Sequence, residues 1–206
     1  MTALKIGKFK ISCGFLLLIA ALLLLPDASS FLLLALSAAL FHELGHILAV
    51  KQYGAKIDSV TLTAAGAVMH TVGIPNYLSE LFCVLSGCIF SFSLAILASI
   101  LGRTFNLQSA YTLSGLSLVF GIFNLLPALP LDGGRALHVI ISALISPSAA
   151  EKTLFVTSLL TSLGILIIGT AVLLHTGSNF TLMAAGIYIL THLVLQLGVE
   201  NNRRVI

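Results

Sequence analysis

The chain has 206 residues, of which 58% are hydrophobic and only 8% charged, and its mean hydropathy is +1.12. A soluble domain of this length carries about three times that charged fraction, so the composition excludes an ordinary soluble protein and indicates an integral membrane protein, short enough to be one domain spanning 1–206. The net charge of +3 singles out no partner beyond the lipid bilayer, and nothing points to nucleic acid.

In chain order, runs approaching the roughly 20 apolar residues needed to cross a bilayer occupy 11–26, 31–50, 81–101, 111–126, 155–174 and 180–199. Six runs predict an all-α polytopic fold with both termini on one side. Placing the termini in the cytoplasm puts Lys5, Lys8, Lys10, Lys51, Lys56, Arg135, Lys152, Arg203 and Arg204 there and leaves Arg103 alone on the other face, a strong positive-inside bias. Lysines followed by an apolar stretch and "PDASS" also fit a signal peptide, which would leave five spans. Cys13, Cys83 and Cys88 are odd in number and scattered, so they read as packing residues and not as a disulfide framework.

Between the second and third runs lies the longest polar linker, 51–80. Val60 and Leu62 alternate with Ser59, Thr61 and Thr63, Gly66 can turn the chain, and Val68 opens a second short run. This predicts a small membrane-associated β-hairpin over 57–70, on the cytoplasmic side.

The chemistry begins at "HELGH", residues 42–46. His42 and His46, four apart, share one helix face, a spacing that suits two nitrogens on one Zn²⁺. Glu43 borders that face and can act as general base toward a water acidified by the metal. An ionised glutamate in a spanning helix is disfavoured unless paired or hydrated, so its presence argues for function. A tetrahedral site needs one more protein ligand. Of Glu80, Asp132, Glu151, Glu200, His70, His138, His175 and His192, the topology favours Asp132. It follows the fourth run in "NLLPALPLDGG", where Pro127 and Pro130 forbid a regular helix and Gly133 and Gly134 permit tight turns, at a membrane depth similar to that of HELGH. Irregular backbone there requires a protein-lined, hydrated pocket. His70 and His138 read as structural, Arg135 as a headgroup anchor and "GILIIG" in the fifth run as helix packing.

HELGH followed by "NLLPALPLDGGRAL" resembles the site-2 protease (M50) family of intramembrane zinc metalloproteases. The six-run layout and "SELFCVLSGCIFSF" are similar to its sporulation branch, typified by the stage IV sporulation protein FB. The resemblance implies a bacterial cell-membrane enzyme that cuts a peptide bond within or next to a membrane segment of a protein substrate, such as a transcription-factor precursor. It implies Zn²⁺ on His42, His46 and Asp132, Glu43 as general base, and a substrate-positioning part for Asn124 and, at the hairpin, Gly66. A homo-oligomer or an inhibitory membrane partner fits the same picture. Two departures stand out. Many members carry Gly-Pro and then Asn in the third core helix, where this chain has Gly87-Cys88 and Ser91; the change is expected to leave the zinc site untouched. The chain also ends after the sixth run, so a C-terminal CBS domain and nucleotide-linked control are not expected. The rival readings are a prenyl-protein type protease, whose third ligand is a glutamate on a helix, a membrane metal transporter, and a non-catalytic membrane scaffold.

Overall fold

The computed structural model describes residues 3–6, 9–12, 29–63 and 66–204. The chain divides into two compact units, 1–123 and 124–206. The described residues are mostly helical, and three helices are long and apolar enough to cross a membrane: Ser30–Gln52, Tyr77–Phe105 and Pro147–Thr176. The protein is therefore an integral membrane protein.

The first unit opens with strands β1 (Ala3–Ile6) and β2 (Phe9–Ser12), continues through helix α1 (Ser29–Gln52), strands β3 (Lys56–Thr63) and β4 (Gly66–Val72) and helix α2 (Tyr77–Phe105), and runs out along helix α3 (Gln108–Asn124). The polar linker does form an antiparallel strand pair, from Lys56↔Val72 to Thr63↔Gly66, with a register shift between Ile57 and Ser59. Gly66 is the first residue of β4, and Ala64 and Ala65, which join the strands, lie outside the described residues.

A lone hairpin was too small an expectation. The strands belong to a four-stranded sheet in the order β1-β2-β3-β4, in which β2 runs parallel to β3 through Phe9↔Val60, Lys10↔Thr61 and Ile11↔Leu62. Residues 11 and 12, assigned to the first span, are strand residues instead. "FKIS" alternates apolar with polar, a strand period, and the long apolar run behind it hides that period. The rest of that span, 13–26, and the signal-peptide reading fall outside the described residues.

α1 and α2 are built inside out. On α1 the exposed stripe is Leu33, Leu40, Leu44 and Leu48, whereas Ala38, His42, His46 and Val50 are buried. On α2 the exposed side carries Phe82, Ile89, Ile96 and Ile100, and the buried side carries Cys83, Gly87, Ser91, Ala95 and Ala98. Small and polar residues inward with large apolar residues outward is the pattern of helices surrounded by lipid, where close backbone approach drives association. Gly45 shows how close: a Cβ there would lie 2.6 Å from the Ser86 carbonyl oxygen. Below this contact Val50, Ala55 and Cys83 form a small apolar core with Ala49, Tyr53 and Ile74. α3 packs on α2, with the Ser114 hydroxyl donating to the Ala95 carbonyl at 2.7 Å.

The second unit contains α4 (Asp132–Leu144), α5 (Pro147–Thr176) and α6 (Thr181–Arg204). Ser146 caps α5 by accepting from the Ala149 N–H, with Pro147 in the first turn where its missing donor costs nothing. Gly177, at φ 70°, ends α5. α4 was not expected. Its 13 residues are too few to span a bilayer and carry Gly133, Gly134, Arg135 and His138, so no apolar run announces it, yet Ala136, Val139 and Ser142 form a buried face at helical spacing.

Candidate metal centre

In the first unit, the regular α1 helix puts His42 and His46 one turn apart and buries both, at 2% and 9% exposure. α2 then fixes the rings. The His46 Nδ1–H donates to the Cys83 carbonyl at 2.8 Å. A carbonyl can only accept, so Nδ1 carries the proton and Nε2 presents its lone pair. His42 Nδ1 is 2.9 Å from the Ser91 hydroxyl oxygen, which turns its Nε2 the same way. The two Nε2 atoms lie 3.2 Å apart. Two nitrogens held at 2.0–2.1 Å by one tetrahedral zinc are separated by about 3.3 Å, so the observed spacing suits two ligands of one ion. Both Nε2 atoms face Gly87, where an added Cβ would stand 2.7 Å from His42 Nε2 and closer still to His46 Nε2. The Phe120 ring meets His42 edge-on at a centroid distance of 5.0 Å, an apolar wall beside an otherwise polar pair. Glu43 is half-buried on the same helix.

The expectation that the Cys88 and Ser91 departures leave this place untouched is corrected at Ser91. Gly87 makes the room in front of both imidazoles, and Ser91 bonds one of them. Sequence reasoning named Gly87 and Ser91 but missed their part here, and it missed the Cys83 carbonyl. The available signal was the four-residue spacing Cys83, Gly87, Ser91, Ala95, which matches the step between His42 and His46.

In the second unit the chain leaves α3 at Asn124, buried at 8% exposure, and breaks as predicted at the prolines, with a cis peptide between Leu129 and Pro130. The break has its own bonds: Ala128 N–H to the Leu126 carbonyl at 2.8 Å, and Leu131 N–H to the Ala128 carbonyl at 2.9 Å. The Leu129 N–H donates to the Ser158 hydroxyl of α5 at 3.0 Å. Asp132, 8% exposed, then opens α4, where the unpaired N–H groups of the first turn favour a carboxylate. Gly133 and Gly134 are needed because backbone fills the space their side chains would take: a Cβ on Gly134 would lie 2.6 Å from the Ala128 carbonyl carbon. The remaining sequence candidates are dispersed. His70 is in β4 opposite Ser59, His138 is on α4, His175 is in the last turn of α5, and His192 on α6 lies beside the Tyr188 ring at a centroid distance of 6.4 Å.

A lipid-type helix with two buried imidazoles aimed at one point defines a membrane protein built around a metal-binding element. The comparisons are consistent with that class. Residues 103–169 match Peptidase family M50. A zinc metalloprotease of Methanocaldococcus jannaschii is 41% identical over 117 residues, 54% of this chain and 34% of that relative. The solved site-2 protease of Methanocaldococcus jannaschii superposes with a TM-score of 0.73 and 28% identity over 91% of each chain. Over these stretches the chain is similar to Peptidase family M50 and to a solved site-2 protease. Its match spans about a third of the length of the curated relative.

Proposed function

We propose that the protein is an intramembrane zinc metalloprotease that hydrolyses a peptide bond within or beside a membrane segment of a protein substrate. The observation that carries this reading is the pair of imidazoles with Nε2 atoms 3.2 Å apart before the cleared face of Gly87. The donor set of His42, His46 and Asp132 has the chemistry of a zinc site, and the relatives named zinc metalloprotease and site-2 protease support the same ion and reaction.

A zinc ion held by His42, His46 and Asp132 would supply Lewis acidity for amide hydrolysis near neutral pH. Glu43 takes the proton from the attacking water and returns it to the leaving nitrogen, a role its place beside His42 on a buried face supports. Asn124 and Gly66 position the substrate. The substrate segment must lose local helix first, because a helical carbonyl is already hydrogen-bonded and shielded. The two units act as one metalloprotease domain. The basic residues mark the cytoplasmic face, and the sheet lies on that side.

Co-expression with membrane-tethered transcription-factor precursors tests the reading. Glu43→Gln is expected to slow cleavage by about a hundredfold or more while purified protein still holds zinc. Cleavage at the wild-type rate by that variant would overturn the assignment.

A further inference from the structure

The candidate donors lie on α1 and α4, yet α2 supplies a hydrogen-bond partner to each histidine ring. We propose that the Cys83–Gly87–Ser91 stripe of α2 is the orienting wall of the metal centre, with Ser91 the positioning residue for His42; this rests on the zinc reading above.

The stripe divides the work by residue type. The Cys83 carbonyl fixes the tautomer and rotation of His46. Gly87 leaves the volume into which both Nε2 atoms point. Ser91 is fully buried at 0% exposure, and α3 confines it, since a Cβ on Gly121 would come within 3.1 Å of Ser91 Cβ. Its hydroxyl is therefore held beside His42 Nδ1. With Nε2 given to a metal, a neutral His42 must carry its proton on Nδ1, and Ser91 Oγ accepts it. That bond orients the ring and raises the basicity of Nε2; loss of such a partner typically weakens a metal site about ten- to a hundredfold. The serine hydroxyl can reverse its role and donate when His42 adopts the other tautomer, which the carbonyl facing His46 cannot do. The two imidazoles thus have unequal supports, one fixed and one adjustable.

The test measures zinc affinity of the purified full chain by chelator competition, together with the visible bands of the Co²⁺-substituted protein. Ser91→Ala is expected to weaken zinc binding about ten- to a hundredfold and to shift the Co²⁺ bands, with the melting temperature of the metal-free protein unchanged. Ser117→Ala removes an equally buried hydroxyl that has no hydrogen-bond partner among the described residues and is expected to leave affinity and bands as they were. Gly87→Ala is expected to abolish zinc uptake. A Ser91→Ala protein with wild-type affinity and unshifted bands would overturn this inference alone. A wild-type protein that takes up neither zinc nor Co²⁺ would overturn the proposed function and this inference together.

Discussion

The two regions that carry the candidate ligands reach their geometry by opposite means. Around His42 and His46 the backbone is an unbroken helix, and the aim of the side chains comes from a neighbouring helix through Cys83 and Ser91. Around Asp132 the backbone is irregular, and the chain itself sets the position through Pro127, Pro130 and the tightly packed Gly133 and Gly134. The difference follows from the ligands. An imidazole has two nitrogens and a free rotation, so it needs an outside partner to choose between them. A carboxylate has two equivalent oxygens, so placing its Cα at a helix N-terminus does most of the work.

This contrast can be broken at several points. The largest effect is expected at His46. His46→Ala should reduce bound zinc from about one per chain to near none, whereas Asp132→Asn, which keeps shape but not charge, should retain weakened binding, as read by metal analysis after dialysis. Equal and complete loss in both would mean the two regions contribute alike. Next is Gly134→Ala. The added methyl meets the Ala128 backbone and should destabilise the second unit by about 1–3 kcal/mol, lowering the thermal midpoint in detergent; an unchanged midpoint would show that the break is not set by packing. Ser158→Ala strands the part-buried Leu129 N–H, a loss of about 1 kcal/mol, and should lower zinc affinity only through the position of Asp132. The smallest effect is expected for Gly164→Ala. Nothing lies within 4 Å of a Cβ there, so the midpoint should move by less than about 0.5 kcal/mol in equivalent stability.

The sequence made one half of this comparison easier to read than the other. HELGH carries its geometry in its own spacing, because i and i+4 on a helix need no further information. The broken segment was legible through its prolines and glycines. Ser91 and Gly87 were not, because their role depends on the register between two helices whose contacting residues are some 40 positions apart, which no local pattern encodes. The same applies to β2. Three of its four residues pair with β3 across a long stretch of chain, and locally the strand merges into an apolar run. α4 escaped notice because a short helix flanked by a proline-rich break has neither the length nor the uniform apolarity of a span. The two ends of "GILIIG", which reads as helix packing, differ: Gly169 approaches Met183 closely while Gly164 faces open space.

The hydroxyl of Ser158 has a wider consequence. It sits fully buried in an apolar helix and serves an amide 29 positions away that the proline break has left without a helical acceptor. Hydrocarbon offers no water to such an amide, so wherever one segment departs from helix, a neighbour must carry the missing half of a hydrogen bond. A serine deep inside a span can therefore work as a patch for someone else's irregularity. In a chain like this, the polar residues of an unbroken helix form a negative image of the break beside it, which makes them a guide to where a companion segment has come unwound.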